Sequence, residues 1–311
     1  VLDEIQMIGD QARGWAWTRA LLGAPASEIH LCGDGSALGL VAQLAQVCGD
    51  AFEVHRYQRF GKLAVEEAAL ETRGGYKCLA PGDCVVAFSR RDIYDIKALI
   101  ETSTAYKACV VYGALPPETR RAQARLFNDP DSDYKLLVAS DAVGMGLNLN
   151  IARMVFHSLR KWSPGTGLAP VPSTQIKQIA GRAGRRSSDY AARGRATCVL
   201  AEDVPVLQAA LAEVFTEQDT PQAGLFPEFE HLELFAGKQP DLPFDQLLQD
   251  FALAAKLDSN FFLCNQESVM GAAALLSHLP LSLKDRYNFC LAPASTRDPR
   301  IAAALLRFAA R

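Results

Sequence analysis

The 311-residue chain has no uninterrupted apolar run that approaches the roughly 20 residues of a membrane-spanning helix, so a membrane protein is not expected. It has no Cys-x-x-Cys pair, and its eight scattered cysteines are predicted to be buried free thiols in a reducing compartment rather than disulfides or zinc ligands. It also has no Gly-x-x-x-x-Gly-Lys-Ser/Thr run, which excludes a complete P-loop within these residues. The chain opens at Val1 with no initiator methionine or leader, which predicts a segment that begins inside a domain.

No strong charge of one sign is present, because the formal net charge is only −3. The charges are nevertheless unevenly distributed. Residues 160–195 hold eight Lys or Arg and one acid, whereas residues 201–258 hold twelve Asp or Glu and two lysines. The pattern indicates either a surface that faces a polyanion, backed by an acidic domain, or a coincidence of solvated faces.

Short apolar runs alternate with segments of helical periodicity over the first two thirds of the chain. This pattern predicts an α/β fold with a parallel sheet that is covered on both faces. An inserted hairpin is predicted near residues 157–173, from pairing of 153–161 with 168–172, and it either wedges a duplex apart or is an ordinary edge hairpin. The predicted strands are residues 28–33, 52–57, 83–88, 107–112, 135–139 and 195–200.

Two changes in the sequence pattern predict three domains. Glycine and proline interrupt the alternation after residue 57, and beyond residue 203 the apolar spacing becomes helical with repeated prolines. We therefore predict a partial α/β lobe at 1–57, a second α/β lobe at 58–203, and a domain of five or six helices at 204–311.

Two adjacent acids, Asp3 and Glu4, follow what reads as the end of a buried strand. Open α/β sheets bind their ligands at the carboxyl ends of their strands. One carboxylate there can hold Mg²⁺ directly or through water, and the next can orient or deprotonate a nucleophilic water. The alternative is that the pair caps the start of a helix.

The run from Gln178 to Arg186 reads as the start of a helix. Arg182 and Arg185 are three residues apart, which predicts that both guanidinium groups lie on one helical face. Planar, permanently charged groups of this kind suit a phosphoryl group that is changing its charge. The alternative is a solvated basic helix.

Polar and glycine residues follow several predicted strands, at Ser89, Gly113, Ser140 and Gly144, together with Asp141. Their hydroxyl and backbone N–H groups are suited to hold the phosphates of a bound strand. Ordinary turn chemistry uses the same residue types.

These motifs, in this order and spacing, resemble those of superfamily-two helicases. They are Asp3-Glu4-Ile5-Gln6, the run from Ser140 to Gly146, and the run from Gln178 to Arg185. Longer runs are similar to the mitochondrial degradosome RNA helicases, which are relatives of the Ski-type DExH enzymes. Those runs are residues 13–23, 31–33, 89–94, 112–117 and 280–283.

The resemblance implies RecA-like lobes, the first one partial, and a role for each matching position. Asp3 would bind the magnesium of ATP, and Glu4 would polarise the attacking water. Gln178, Arg182 and Arg185 would reach the γ-phosphate, with Arg185 as the arginine finger. The nucleotide-side residues would be Gln6, Asp141, Gly144 and Gly146, of which Asp141 and Gly144 would couple nucleotide state to RNA grip. Ser89, Gly113 and Ser140 would contact RNA.

The fourth position of the first motif departs from the broader family name, because it is Gln6 and not His. Since both acids are intact, we expect this difference to alter coupling more than hydrolysis.

The resemblance implies an ATP- and Mg²⁺-dependent RNA helicase that unwinds duplexes from the 3′ side, in the mitochondrial matrix, with an exoribonuclease as partner. Without a phosphate-binding loop, the 311 residues alone are expected not to hydrolyse ATP. Two alternatives stay open: a non-catalytic scaffold with a helicase fold, and a DNA translocase.

Overall fold

The computed structural model divides into two compact units. One comprises Val1–Val54 with Phe215–Arg311, and the other comprises His55–Val214. The amino-terminal residues and the helical residues thus form one compact unit, whereas the domain limits 1–57, 58–203 and 204–311 stay a prediction. The structure describes residues 1–57, 61, 63–144, 146–163, 167–185, 190–191, 194–214, 216–217, 219–239, 242–264, 266–292, 294–296 and 298–311.

The amino-terminal part of the first unit has two helices, α1 (Gly14–Gly23) and α2 (Leu38–Cys48). Residues 28–33 and 52–57 were expected to be strands, and both predictions are wrong. In 28–33 the pairing is reduced to a single parallel bridge between Leu2 and Leu31, and 52–57 form no strand. A strand requires a neighbouring backbone that pairs with it over several residues, and the pairing of Leu2 with Leu31 is a single bridge.

The second unit contains a six-stranded sheet in which every strand pairing is parallel, which confirms the predicted α/β class. The strand order is β1-β8-β5-β2-β4-β3. The strands are β1 (Ala64–Val65), β2 (Asp83–Val86), β3 (Lys107–Val111), β4 (Tyr134–Ala139), β5 (Arg153–Phe156) and β8 (Arg195–Cys198).

Four helices cover this sheet, because its central strands are buried on both faces. Val85 and Leu136 pack on one face, and Val86 and Leu137 pack on the other. Successive residues of a strand point to opposite faces, so continuous apolar runs require helices on both sides. The first face is covered by α3 (Arg90–Ser103), and the second by α4 (Pro117–Asn128), α5 (Ser173–Ala180) and α6 (Val204–Ala212).

The inserted hairpin is shorter than predicted. It consists of β6 (Arg160–Ser163) and β7 (Gly167–Pro170), which pair antiparallel, and its turn at 164–166 lies outside the described residues. Arg153–Phe156 was assigned to the hairpin, and this was wrong, because that segment is fully buried between β2 and β8. Four buried residues with neighbours on both sides form an interior strand, not an edge hairpin.

Helix α5 ends at Ala180, before either arginine of the glycine–arginine run. Gly181–Gly184 form turns, and Gly184 has a φ of 63°, which favours glycine. The expectation that Arg182 and Arg185 share a helical face is therefore wrong. Gly181 follows the last residue of α5, so the glycine–arginine run comes after the helix rather than opening it.

A buried ion cluster joins the amino ends of the strands, at the edge opposite the polar loops. Arg153 donates to both oxygens of Asp83, over 3.0 and 2.5 Å, and its Nη1 lies 3.1 Å from Oε2 of Glu66. Arg195 also donates to Glu66, over 3.1 Å. Burial raises the pKa of Asp83, and its contacts with Arg153 oppose that shift. The cluster is placed to hold β2, β5 and β8 in register.

The rest of the first unit is mainly helical, and it also contains two strands that were not predicted. The strands are β9 (Ala223–Leu225) and β10 (Phe261–Leu263), which pair parallel. A core around Leu232, Leu248 and Leu276 unites the helices. No helix among the described residues has the length and apolar character of a membrane span. The helices are α7 (Phe229–Ala236), α8 (Phe244–Ala254), α9 (Glu267–Leu276), α10 (Leu283–Cys290) and α11 (Pro299–Ala309).

All eight cysteines are free, but they are not all buried as expected. Cys32 and Cys48 are exposed and Cys78 is half-buried. The buried ones are Cys84, Cys109, Cys198, Cys264 and Cys290.

Candidate functional site

The two acids lie at the tip of the Leu2–Leu31 bridge, in a turn that leads into a short 3₁₀ helix at Ile5–Gly9. Asp3 is exposed and Glu4 is half-buried. The indole Nε1 of Trp17 donates to the carbonyl oxygen of Asp3 over 2.9 Å. The Glu4 N–H donates to Oδ1 of Asp3 over 3.0 Å. The backbone that carries the two carboxylates is therefore held by a side chain of α1, outside the turn.

Glu4 adopts a left-handed backbone conformation, with φ 55° and ψ 50°. Among the described residues it is the only one other than glycine with a positive φ. This conformation costs a residue with a side chain about 1–2 kcal/mol. Strain of this kind persists only where surrounding contacts fix it, and it concentrates at functional sites.

The side chain of Gln6 restrains the carboxylate of Glu4. Its Nε2 donates to Oε2 of Glu4 over 2.6 Å, and its Oε1 accepts from the Asp34 N–H over 3.3 Å. The Ile5 N–H donates to the carbonyl of Cys32 over 2.9 Å. A Cβ on Gly33 would lie 2.4 Å from Oε1 of Gln6 and 3.0 Å from the Ile5 nitrogen, so this close approach requires glycine. Gln6 thus links the acidic turn to the turn at residues 32–34.

The turn after β4 lies along one face of α5. Gln178 lies against Gly144, where an added Cβ would be 3.6 Å from its Cγ. One turn earlier on the same face, Nε2 of Gln175 donates to Oδ2 of Asp141 over 2.8 Å. Gly146 has a φ of 75°, which favours glycine. Met145 lies outside the described residues. Two glutamines of one helix therefore hold the turn that carries Asp141 and Gly144.

The two arginines lie in different environments. Arg182 is only 8% exposed, and its guanidinium donates to the carbonyl of Gly144 and, over 3.4 Å, to that of Leu147. Arg185 is exposed. In this structure Arg182 holds the backbone at Gly144 and at Leu147 from within the second unit, while Arg185 is exposed to solvent. Arg186 lies outside the described residues.

The three predicted nucleic-acid contacts lie in a row, because β2, β4 and β3 are neighbours and each contact follows the carboxyl end of one of these strands. Ser89 caps α3, with its Oγ accepting from the Asp92 N–H over 3.0 Å. Oγ of Ser140 accepts from the Ala142 N–H over 3.1 Å. A hydroxyl that accepts in this way still carries a hydrogen that can donate to a phosphate. Gly113 is exposed at the end of the row.

Residue types alone did not single out Trp17 or Gln175. Trp17 packs against the core around Ile8, and its indole also holds the backbone of Asp3. Gln175 stands three residues before Gln178, and that spacing on one helical face is the signal that pairs the two.

The acidic turn is suited to hold Mg²⁺ through a single protein carboxylate. No group of three or more His, Cys, Asp or Glu side chains that could hold a metal occurs in the part of the chain that the model describes. Mg²⁺ is commonly held by one or two carboxylates together with substrate phosphates and water. The exposed carboxylate of Asp3 fits that mode.

Three segments of the chain match models of protein families. Residues 1–57 match the model of the DEXQ-box helicase domain of Suv3. Residues 70–187 match the helicase conserved C-terminal domain, and residues 272–311 match Suv3 C-terminal domain 1. The match to the helicase C-terminal domain thus covers four of the six strands of the parallel sheet, β2, β3, β4 and β5.

Individual relatives are similar over nearly the whole chain. The ATP-dependent RNA helicase SUV3L, mitochondrial, of Oryza sativa subsp. japonica is 53% identical over 99% of this chain and 41% of that protein. The ATP-dependent RNA helicase SUPV3L1, mitochondrial, of Homo sapiens is 44% identical over 99% of this chain and 39% of that protein. The solved Escherichia coli DExH-box NTPase HrpB has 14% identity and a TM-score of 0.49 over 98% of this chain and 44% of that chain, and it adds nothing to the assignment.

The chain is thus similar to Suv3 helicases over 99% of its length, and it spans about two fifths of the length of these two curated relatives. The family model is named for a DEXQ box, which is the pattern of Asp3-Glu4-Ile5-Gln6. Gln6 is therefore no departure within this family, although it differs from the name of the broader DExH group.

Proposed function

We propose that this chain is part of an ATP-dependent RNA helicase that unwinds RNA duplexes. The observation that carries the proposal is the strained acidic turn, in which Gln6 holds the carboxylate of Glu4 and Trp17 holds the backbone of Asp3, within the segment that matches a helicase domain. The printed names of the relatives, which are ATP-dependent RNA helicases, support the same activity.

The acidic turn would supply the residues that act on ATP and water. Glu4 would orient and deprotonate the water that attacks the γ-phosphate, and its hydrogen bond with Gln6 limits the rotation of its carboxylate. Asp3 would hold Mg²⁺, which neutralises phosphate charge when it is bound. Because the Asp3 backbone is held by Trp17, both carboxylates would be pre-positioned before ATP binds.

The second unit would supply the positive charge. Arg185 would act as the arginine finger that stabilises the transferring phosphoryl group, since it is the exposed arginine of the pair. Gln178 would contact the nucleotide from the face of α5. Arg182 would act indirectly, because its guanidinium donates to the carbonyl of Gly144 and holds that turn in place.

RNA would bind along the carboxyl edge of the sheet. Ser89, Gly113 and Ser140 form the row that would donate hydrogen bonds to successive phosphates. Asp141, Gly144 and Gly146 lie in the turn that begins immediately after Ser140, so this turn would report nucleotide state to the RNA contacts. Unwinding from the 3′ side, an exoribonuclease partner and the mitochondrial matrix are further proposals that rest on the family resemblance. Mitochondrial location is in the names of the relatives.

The test is ATP hydrolysis by the full-length protein with single-stranded RNA, single-stranded DNA or duplex as the stimulating ligand. We expect magnesium-dependent turnover that RNA stimulates most, and loss of turnover in Glu4→Gln. Stimulation by duplex DNA above RNA would indicate a DNA translocase. RNA binding without turnover would indicate a scaffold.

A further inference from the structure

A hydrogen-bonded chain of three side chains joins the inserted hairpin to the turn of Asp141. Nζ of Lys161, on β6, donates to Oε1 of Gln175 over 2.5 Å. Nε2 of the same glutamine donates to Oδ2 of Asp141 over 2.8 Å. One half-buried side chain on α5 therefore contacts both the hairpin and the turn.

The chemistry of the two partners fixes the direction of this amide. An ammonium group can only donate, and an ionised carboxylate can only accept. Gln175 satisfies both only with its oxygen toward Lys161 and its NH₂ toward Asp141. Both hydrogen bonds are charge-assisted, which makes them stronger than neutral ones. Asn is too short and Glu lacks the donor, so the position selects glutamine.

The hairpin that Lys161 anchors presents apolar groups to solvent. The neighbouring Trp162 is 69% exposed, and its cross-strand partner Leu168 is 59% exposed. Side chains directly opposite each other on antiparallel strands are in contact range. The ring and the leucine thus form one exposed apolar surface, which begins one residue from the Lys161 link.

We propose that Lys161 and Gln175 are positioning residues that couple this hairpin to the Asp141 turn, so that nucleotide-dependent changes at the turn move the apolar surface of the hairpin against a duplex. The inference rests on the proposed helicase function. A shift of the Asp141 carboxylate draws the amide of Gln175, which in turn draws the ammonium of Lys161. The relay acts on duplex separation and not on the hydrolysis of ATP itself.

The experiment compares variants in the full-length protein, with two rates measured for each. One rate is ATP hydrolysis stimulated by single-stranded RNA, and the other is unwinding of a 3′-tailed RNA duplex. For Lys161→Met we expect hydrolysis within twofold of wild type and unwinding at least fivefold slower, so more ATP is consumed per duplex separated. Gln175→Met also loses the hydrogen bond to Asp141, and it should slow unwinding by a larger factor than it slows hydrolysis. Lys161→Arg keeps a donor and should restore most of the unwinding.

A matched control is Lys177→Met, which removes an ammonium group from the same helix that donates to the carbonyl of Glu213. It should leave the ratio of ATP consumed to duplex unwound unchanged. The double variant Lys161→Met/Gln175→Met should be no slower than either single variant, since residues of one relay act as a unit.

Three results overturn the relay: wild-type unwinding in both single variants, multiplied defects in the double variant, or an equal loss of hydrolysis and unwinding. The proposed function itself fails in a different way, by the absence of unwinding in the wild-type protein.

Discussion

Nε2 of Gln6 donates a hydrogen bond of 2.6 Å to the carboxylate of Glu4, whose backbone is left-handed with a φ of 55°. The glutamine two residues after the acid thus restrains the side chain of a residue whose backbone is already in an unfavourable region. The relationship makes the DEXQ box a structural unit, in which the fourth residue orients the second. It also predicts how the turn responds to substitution.

Comparing Glu4→Gly with Glu4→Ala should separate the effect of backbone strain on stability from the loss of the carboxylate. Only glycine adopts a φ near +55° without cost, so Glu4→Gly should be more stable than Glu4→Ala by about 1 kcal/mol. At an ordinary position alanine is the more stable of the two. Thermal unfolding measures the difference, and equal stabilities would show that the turn is not left-handed. Both variants should lose ATP hydrolysis.

Alanine substitution should mainly lower stability at Arg182, whereas at Arg185 it should mainly abolish hydrolysis. Arg182→Ala removes a buried guanidinium that donates to two backbone carbonyls, which should lower the free energy of unfolding by about 2–4 kcal/mol. Arg185→Ala should change stability by less than about 0.5 kcal/mol, as expected for an exposed residue, and abolish RNA-stimulated hydrolysis while nucleotide binding persists. Wild-type turnover in Arg185→Ala would remove the finger assignment.

The buried ion cluster predicts a non-additive pair of substitutions. Arg153→Met leaves the buried carboxylate of Asp83 without its main partner and should cost about 3–5 kcal/mol in the free energy of unfolding. Arg153→Met/Asp83→Leu should recover a large part of that loss, because it removes the uncompensated charge as well. Denaturant unfolding provides both values, and equal losses in the single and double variants would contradict the pairing.

The thiols should differ sharply in reactivity at pH 8. Cys32 and Cys48 are exposed and should be labelled within minutes, whereas the five buried cysteines should react only on unfolding. Burial raises the pKa of Cys290 to about 11 and that of Cys198 to about 12, so neither is a thiolate at that pH.

The same pKa shifts make the folded state less stable in alkali. In the unfolded chain these thiols ionise near the ordinary cysteine pKa, while in the folded chain they stay protonated. Their contribution to stability is complete below pH 8 and falls as the pH rises toward 11–12. Rapid labelling of more than three cysteines in the native protein at pH 8 would contradict the burial pattern.

Much of the fold was predictable, because local sequence pattern decides it. Buried parallel strands read as continuous apolar runs, and β2, β3, β4 and β8 were found in this way. β5 was assigned to the hairpin because the chain continues from it toward β6 with no helix between them. Strands 28–33 and 52–57 have the right residues, yet pairing depends on neighbours that a local pattern does not specify.

The sequence selects candidate site residues, but it does not give their geometry. The motifs identified Glu4, Gln178 and the two arginines, since spacing and residue type carry that information. The left-handed backbone of Glu4 accompanies contacts from Trp17 and Gln6, and the buried guanidinium of Arg182 contacts the carbonyls of Gly144 and Leu147. Long-range contacts of this kind are absent from any window of sequence.

The most direct test of the account is duplex unwinding by the full-length protein and by its Glu4→Gln variant, on a 3′-tailed RNA duplex with ATP and Mg²⁺. The wild-type protein should separate the strands, while Glu4→Gln should bind ATP and RNA normally and unwind at least 100-fold more slowly, because the general base is gone. Unwinding by Glu4→Gln at the wild-type rate would contradict the account, as would the absence of any ATP-dependent unwinding by the wild-type protein.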